Sequence, residues 1–488
     1  MTRGAQLGLL AALGLGALGT AGCGGLGGPR RAAELAECPP GEGPSDALCG
    51  TLEVFENRAA ASGRRIPLKV VVLPALSREP RPDQLADLGR GLARVQEQRD
   101  VVFVDQRGTG ASGPLDCDVG EELEAAPDAV AAALEALKQC LAGYEADTRQ
   151  YTTPNAVDDL DEVRERLGYE QVNLWGGSYG TRVALVYLRR HPERVRSAVI
   201  DGVAPVNMHL PLYFARDGER ALELLFEACR ADAGCAEAFP ELEPRTRALI
   251  DELRRAPRHV ALTQPSTGVA EEIDVDGETI AGIVRVALYS AEAGSLLPLL
   301  LSRAALGDFA GLVTIASAAG DGGISPGLML SVLCTEDVAG IELERAREAA
   351  AGSFLGVVPV ERLKESCALW PRGELPEGYH EPVRSDRPVL VLSGELDPVT
   401  PPSWGEAAAA TLPNARHVVV PGVGHGTSTR GCVPERIGEF FEAGSASGID
   451  FGCVDELHRL PFFLGPAGPV PPPPKKKKET RDAKGAAP

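Results

Sequence analysis

One serine has the surroundings of a nucleophile. Ser178 lies in the segment Gly176-Gly177-Ser178-Tyr179-Gly180, which has the spacing G-x-S-x-G, between an apolar run at residues 172–175 and a helical pattern at 181–190. The flanking glycines allow a tight strand-to-helix turn that exposes the hydroxyl, and the helix N-terminus directs free N–H groups toward developing negative charge. The spacing predicts Ser178 as the nucleophile and the N–H of Tyr179 as an oxyanion donor.

A serine hydroxyl is a weak nucleophile until a base takes its proton. Among the seven histidines, His425 stands in the glycine-rich segment 421–426, directly after a strand-like run. Loops in this position present catalytic groups. His191 stands where a helix ends and His417 stands inside a strand-like run, so both have structural explanations. We therefore predict His425 as the base.

The base in turn needs a carboxylate that fixes its tautomer and stabilises its charged form. Residues 393–398 follow an apolar run at 389–392 and contain two acids. We predict Asp397, because the proline after it fixes an extended turn that directs it across the sheet end. Glu395 is the alternative, and a turn acid can also simply cap backbone groups. The order of these residues along the chain, Ser178, Asp397 and then His425, is one of the three common orders of a catalytic triad.

Strand-like and helical patterns alternate along most of the chain, which predicts an α/β sheet. Strands are expected at residues 50–55, 67–73, 101–104, 172–175, 198–200, 389–392 and 417–420. Helices are expected between them at 84–95, 156–167 and 181–190. Residues 206–375 interrupt this alternation with helical segments at 222–233, 246–255, 277–290 and 341–351. The pattern predicts a helical lid, 206–375, inserted between two parts of one core, 46–205 and 376–462.

Two further segments carry a family resemblance. They are Val104-Asp105-Gln106-Arg107-Gly108-Thr109-Gly110-Ala111-Ser112-Gly113 and Ser331-Val332-Leu333-Cys334-Thr335-Glu336-Asp337. With these segments and the loops of the predicted triad, residues 48–460 resemble the proline iminopeptidase and tripeptidyl aminopeptidase branch of the α/β-hydrolases, in its secreted bacterial form. The resemblance implies the α/β-hydrolase fold, a mostly parallel sheet flanked by helices, and release of residues from the free N-termini of peptides.

Recognition of a free N-terminus requires a carboxylate that pairs with the substrate ammonium. The resemblance implies that Glu336, in the lid, is the acid best placed to bind substrate in this way. The alternative is that Glu336 is a solvated lid acid. The glycine-rich run at 104–113 lacks G-x-x-x-x-G-K-[ST], which argues against nucleotide binding.

The chain departs from the family in one region. The family carries a strand and a Gly-Gly-Pro-Gly loop before the helix that precedes Asp105, and that loop supplies half of the oxyanion hole. Here residues 70–74 lead through 75–83 directly into the expected helix at 84–95, so one central strand and the oxyanion loop are predicted to be missing. Loss of such a donor typically costs on the order of 10²–10³ in rate. Three explanations fit: a lost segment of roughly 10–20 residues, the length of such a strand and loop, a sheet that re-pairs around the gap, or a non-catalytic relative.

The first 23 residues have the pattern of an export signal. Arg3 supplies a positive charge, residues 7–18 form a short apolar stretch, and Thr20-Ala21-Gly22-Cys23 is a small-residue cleavage site. A Cys after Ala-Gly resembles a lipoprotein signal, whereas Thr20 departs from the usual Leu, so lipidation of Cys23 and plain cleavage both stay open. The predicted location is outside the cytoplasm: secreted, periplasmic or lipid-anchored at a bacterial cell envelope.

The two ends of the chain are low in residues that could be buried. Residues 24–45, rich in Gly, Pro and Ala, are predicted to be a flexible tether. Residues 463–488 are predicted to be a disordered tail, because this segment contains a proline run and four consecutive lysines and has almost nothing to bury.

The cysteines agree with export, because oxidising compartments favour disulfides. The chain has 11 cysteines, and those other than Cys23 form close pairs along the sequence, although connectivity cannot be fixed from the sequence. The expected pairs are Cys38–Cys49, Cys117–Cys140, Cys229–Cys235, Cys334–Cys367 and Cys432–Cys453. No C-x-x-C or H-x-x-x-H spacing favours zinc, so no metal and no cofactor are expected.

The residues together predict an exported serine hydrolase that forms an acyl-enzyme. Its substrate is expected to be a peptide, or a small ester or amide. The formal net charge of −20 argues against nucleic acid as a partner, and membrane attachment is expected only through a lipidated Cys23. An aminopeptidase is the leading hypothesis. The alternatives are an esterase or amidase with the same triad, and a non-catalytic relative, which the absence of a Gly-Gly-Pro-Gly loop favours.

Overall fold

The computed structural model describes residues 35–44, 46–76, 84–86, 93–116, 129–263, 268–319, 325–466 and 468–469. Within these ranges, no helix combines the length and the hydropathy needed to cross a bilayer. The predicted signal segment, Cys23 and most of the predicted tail lie outside the described residues.

A sheet of nine strands forms the centre of the described structure. Its order is β1-β2-β3-β5-β4-β6-β7-β10-β11. The first pairings, from β1 to β5, are antiparallel, and those from β5 through β4 to β11 are parallel. The strands are β1 (Ala36–Glu37), β2 (Leu48–Phe55), β3 (Arg65–Leu73), β4 (Gln84–Ala86), β5 (Val101–Val104), β6 (Val172–Gly177), β7 (Val195–Asp201), β10 (Val389–Gly394) and β11 (Ala415–Val420).

Helices cover both faces of the sheet and form the layer above it. Those of the core are α1 (Ala93–Gln96), α2 (Ala129–Gly143), α3 (Thr153–Arg166), α4 (Tyr179–Arg190), α14 (Pro402–Ala409) and α15 (Val433–Ala443). Those between β7 and β10 are α5 (Phe214–Ala231), α6 (Ala233–Ala238), α7 (Leu242–Arg255), α8 (Gly277–Leu288), α9 (Ala291–Ala304), α10 (Ala310–Ala319), α11 (Pro326–Glu336), α12 (Leu343–Ala350) and α13 (Val358–Leu369).

The central strands are apolar on both faces, as parallel strands covered by helices must be. Every residue of β10 is buried. On one face, Leu390 and Leu392 pack with Phe440 and Phe441 of α15. On the other face, Val389 and Val391 pack with helix α4. This two-sided burial fixes the ends of β6, β10 and β11, from which the candidate site residues project.

The seven predicted strands are confirmed, with bounds that differ by three residues or fewer. The expected helix at 84–95 is wrong at its start, because Gln84–Ala86 is strand β4. This short strand pairs in parallel with both β5 and β6. The central strand predicted to be missing is therefore present over three residues, and it supplies partners for neighbouring backbone groups that would otherwise be buried unpaired. Residues 77–83 and 87–92, where an oxyanion loop would belong, lie outside the described residues.

The segment between β7 and β10 contains the predicted lid helices. They share one apolar core, which includes Leu222, Phe226, Leu253 and Val284. The sequence did not predict the antiparallel hairpin of β8 (Arg258–Thr263) and β9 (Ala270–Val275) in this segment. Its longest apolar run, 260–262, has only three residues and several of its side chains are exposed, so the sequence pattern does not indicate a strand. The predicted lid boundaries, 206 and 375, remain predictions.

The predicted ends of the chain need correction. Part of the expected tether forms β1, which pairs with β2 and is joined to it by the Cys38–Cys49 disulfide. At the other end, Phe463 donates a backbone hydrogen bond of 3.0 Å to Ser295, so the tail does not begin at 463. Specific partners hold the described parts of these segments, which the low apolar content of the sequence did not indicate.

Four of the five expected disulfides are confirmed. They are Cys38–Cys49, Cys229–Cys235, Cys334–Cys367 and Cys432–Cys453. Cys140 is also disulfide-bonded. Its expected partner, Cys117, lies outside the described residues.

Candidate active site

Ser178 occupies a strained turn between β6 and α4. Its backbone has φ 51° and ψ −121°, a conformation that non-glycine residues rarely adopt. Its N–H donates to the carbonyl of Asp201 at 2.9 Å, which ties the turn to the end of β7. A Cβ at Gly176 would lie 2.2 Å from the carbonyl oxygen of Gly180, so the turn requires glycine at 176. The side chain of Ser178 is exposed, as access to a substrate requires.

His425 and Asp397 form the hydrogen bond that the sequence predicts. Nδ1 of His425 lies 2.8 Å from Oδ2 of Asp397. Oδ1 of Asp397 accepts the backbone N–H groups of Val399 and Thr400, each at 2.8 Å, and Oδ2 also accepts the hydroxyl of Thr400 at 2.7 Å. These donors fix a fully buried carboxylate and orient it toward the imidazole.

The same pair shifts the pKa values of both groups. Burial opposes the charge of Asp397, but the charge and the hydrogen bond of His425 outweigh it and lower the Asp397 pKa. Burial likewise opposes the charge of His425, but Asp397 outweighs it and raises the His425 pKa. The carboxylate is therefore ionised at neutral pH and stabilises an imidazolium, as a base that receives a serine proton needs.

The loop that carries His425 is anchored beside the serine turn. Asp201, at the end of β7, accepts the backbone and hydroxyl groups of both Thr427 and Ser428, at 2.6 to 3.0 Å. A Cβ at Gly202 would lie 2.9 Å from Cε1 of His425. Because the carbonyl of Asp201 also binds the N–H of Ser178, this strand end joins the two loops.

A second polar network begins at Tyr179, the residue after the serine. Its hydroxyl lies 2.8 Å from Oγ1 of Thr153 and accepts from the Gln106 amide at 3.2 Å. Thr153 donates its N–H and its hydroxyl to Glu336 at 2.6 and 2.8 Å, and the hydroxyl of Tyr379 donates to the same carboxylate. The carboxylate of Glu336 also faces the N-terminus of α3, where negative charge is favoured.

Glu336 is buried next to a strong ion pair. Arg182 donates to Asp337 at 2.6 Å and lies 3.7 Å from Glu336. Burial raises the pKa of Glu336, and the attraction of Arg182 opposes that rise. The interpretation of Glu336 as a solvated lid acid is wrong, because its side chain is fully buried. With both acids ionised, this group of three charges carries a net charge of −1.

The alternative candidates for the triad have other partners. Oε2 of Glu395 accepts the N–H of Gly422 at 2.9 Å and so braces the strand-end loops. Nε2 of His417 lies 3.0 Å from the Ser393 hydroxyl, and His191 lies 3.1 Å from Asp158. Asp397 is therefore the acid that the structure brings to His425.

Sequence reasoning missed several residues of the site. Asp201 directly follows the strand predicted at 198–200, and Thr400 lies three residues after the predicted acid, so both positions carried a signal. Thr153 and Tyr379 carried none, because their roles arise from contacts between segments distant in sequence. The N–H of Tyr179 stands at the first position of α4, where helix geometry leaves it free for an acceptor.

The fold and this arrangement define an α/β-hydrolase. Residues 75–233 match the model for the alpha/beta hydrolase fold, and residues 354–453 match the model for TAP-like protein. The first segment contains Ser178, and the second contains Asp397 and His425. Within this class, the resemblance to proline iminopeptidases and tripeptidyl aminopeptidases that the motifs indicated is confirmed.

The chain is also similar to individual proteins. The serine protease Hip1 of Mycobacterium tuberculosis is 25% identical over 445 residues, covering 77% of this chain and 82% of that protein. The tripeptidyl aminopeptidase of Streptomyces lividans is 33% identical over 133 residues, 23% of each chain. Among solved structures, a proline iminopeptidase of Mycobacterium smegmatis covers 81% of this chain and 98% of its own, with 18% identity and a TM-score of 0.40.

Proposed function

We propose that this protein is a serine peptidase that releases residues from the N-termini of peptides through an acyl-enzyme. Ser178 attacks the scissile carbonyl, and His425 takes its proton and later returns it to the leaving amine. Asp397 orients His425 and stabilises its charged form. The observation that carries the proposal is the 2.8 Å bond between His425 and a buried Asp397, together with a serine held at positive φ whose turn is tied through Asp201 to the His425 loop.

Glu336 supports a preference for substrates with a free amino group. It is joined through Thr153 to the hydroxyl of Tyr179, the neighbour of the nucleophile. Its negative charge is only partly balanced, because Arg182 is engaged by Asp337. A substrate ammonium nearby would favour the ionised carboxylate and would be attracted by it. The resemblance to aminopeptidases supports the same role.

We also propose that the protein is exported. The confirmed disulfides fit an oxidising compartment. We propose that residues 1–23 direct export and that Cys23 is the residue at which lipid attachment would occur.

A fluorophosphonate probe tests the nucleophile. It should label the folded protein at Ser178 and should not label the Ser178→Ala variant. Folded protein that shows no labelling at Ser178 would contradict the proposed mechanism. If it also hydrolysed no ester or amide, the non-catalytic alternative would replace the proposal.

A comparison of matched substrates tests the specificity. Aminoacyl- and tripeptidyl-naphthylamides with a free amino group should be hydrolysed faster than their N-acetylated forms. Glu336→Gln should reduce that preference, with Glu395→Gln as the control because Glu395 binds a backbone N–H in the strand-end loops. Fast hydrolysis of simple acyl esters with no effect of a free amine would favour the esterase alternative.

A further inference from the structure

Helix α8 brings a tyrosine from the lid against the predicted base. The backbone carbonyl of Tyr289, which follows α8, accepts the N–H of His425 at 2.8 Å. The two rings meet edge to face with centroids 5.1 Å apart. A Cβ at Gly424 would lie 2.4 Å from the same carbonyl, so the histidine loop fits closely against Tyr289. Tyr289 therefore packs directly against His425.

Arg285 lies one helical turn before Tyr289 on the same face of the lid. Its Nη2 donates to the Tyr289 hydroxyl at 2.9 Å, and its guanidinium lies 4.3 Å from the ring centre of Phe214. The Nε atom of Arg285 is buried and has no hydrogen-bond partner in the part of the chain that the structure describes. Stacking on an aromatic face leaves the edge of a guanidinium free for a carboxylate.

Arg285 has no anionic partner among the described residues, where no carboxylate oxygen lies within 4.0 Å of its guanidinium. Other lid arginines differ: Arg247 pairs with Glu219 at 2.6 Å, and Arg254 pairs with Glu278 at 2.9 Å. The protein has a formal net charge of −20, so acids are abundant. Within the described ranges, this half-buried cation, which reaches His425 through Tyr289, therefore has a hydrogen-bond donor available for an anionic ligand.

The side of the site on which Arg285 lies follows from the chemistry of the base. The histidine of a serine hydrolase returns its proton to the leaving amine, so the leaving group lies against the imidazole. A lid residue that packs on His425 therefore borders the leaving group rather than the acyl group. Glu336 and the hydroxyl of Tyr179 belong to a different hydrogen-bond network, in which Thr153 joins them.

We infer that Arg285, held by Tyr289 and Phe214, binds a carboxylate of the leaving fragment. This inference rests on the proposed function, because it assigns the leaving-group side of the same site. The carboxylate has two possible sources, the C-terminus of a one-residue leaving fragment or an acidic side chain on the first leaving residue. In both cases the arginine makes a charge-assisted hydrogen bond.

Three matched peptides distinguish these sources. They are X-Ala with a free C-terminus, X-Ala amide and X-Asp amide, where X is the acyl group released fastest from naphthylamides. Wild-type kcat/KM should be about tenfold higher for X-Ala or for X-Asp amide than for X-Ala amide, as expected for one partly exposed charge-assisted bond. Equal values for all three peptides would overturn the inference and leave the proposed function intact.

Variants of two lid arginines test whether Arg285 causes the preference for peptides with an acidic leaving fragment. Arg285→Met should reduce the ratio of kcat/KM between the acidic and neutral peptides about tenfold, whereas Arg285→Lys should retain part of it. Arg303→Met is the matched control, because it removes an exposed lid arginine and the same charge. An unchanged ratio in Arg285→Met, or an equal fall in Arg303→Met, would overturn the inference.

A binding measurement separates this inference from the proposed function. Calorimetry on the Ser178→Ala variant should show tighter binding of Ala-Ala or of Ala-Asp amide than of Ala-Ala amide, and Arg285→Met in that background should abolish the difference. This holds without any turnover. Loss of hydrolysis by the wild-type protein together with this binding difference would contradict the proposed function alone. Equal binding of all three dipeptides would contradict the carboxylate site.

Discussion

His425 depends on Asp397 for its charge as well as its orientation. We expect Asp397→Asn to keep the fold, because the amide oxygen can still accept the N–H groups of Val399 and Thr400. It should lower kcat by about 10³–10⁴, since the imidazolium loses its counter-charge and the tautomer is no longer fixed. Steady-state kinetics on an aminoacyl-naphthylamide measures the loss. Glu395→Gln is the control and should stay within a few-fold of wild type; the reverse ranking would reassign the acid.

The raised pKa of His425 predicts the acid side of the pH profile. In the proposed mechanism the neutral imidazole is the base, so kcat/KM should fall as pH drops through the pKa of His425, which lies above its usual value of 6.5. Because Asp397 is the main cause of that rise, Asp397→Asn should move the residual activity profile to lower pH. A profile that stays in place after this substitution would show that another group controls the acid limb.

At the scale of elements, the two glycines around Ser178 have different roles. A Cβ at 176 would meet the carbonyl of Gly180 at 2.2 Å, whereas a Cβ at 180 would meet no described residue within 4 Å beyond its chain neighbours and its own helix backbone. Gly176→Ala should therefore destabilise the protein by on the order of 3 kcal/mol and reduce fluorophosphonate labelling, because the turn must open. Gly180→Ala should fold normally and retain labelling. Denaturant unfolding and probe labelling of both variants check this, and equal effects would contradict the close approach of residues 176 and 180.

The parallel strands were predictable because a short stretch of sequence is enough to indicate each of them. Residues such as 389–392 form continuous apolar runs between turn residues, and burial on both faces selects that composition. Strand β4 was not predictable, because three residues show no periodicity and the adjacent sequence favours a helix. Its place in the sheet is set by its neighbours β5 and β6. Local sequence could not indicate a strand whose pairing is entirely tertiary.

The residues of the candidate site likewise fall into those that the sequence could predict and those that it could not. Ser178, Asp397 and His425 each follow a recognisable strand, so their types and order predicted them. Glu336 was implied only by resemblance, and its partners Thr153 and Tyr379 come from distant segments. Such contacts are fixed by packing of the lid on the core. The sequence alone carries no pattern for them.

At the scale of the whole molecule, lid and core share one site. The core supplies the serine turn and the proposed acid and base. The segment between β7 and β10 supplies Glu336 at the end of α11 and Tyr289 against His425. The Cys334–Cys367 disulfide joins α11 to α13, two residues before Glu336. A covalent link inside the lid therefore holds the element that carries the predicted substrate-binding acid.

Because of this link, we expect two disulfides that contribute similarly to the stability of the protein to differ in their effect on activity. Loss of Cys334–Cys367 by a double Ser substitution should lower stability by about 3–4 kcal/mol, from the loop that it closes. It should also raise KM more than it lowers kcat, because α11 becomes less fixed while the triad stays in the core. The matched control is Cys38–Cys49, at the far edge of the sheet, whose loss should cost about 3 kcal/mol and leave KM unchanged. Thermal unfolding and kinetics on free-amine substrates measure both effects. An equal rise of KM in the two variants would show that stability alone, and not the position of Glu336, governs substrate binding.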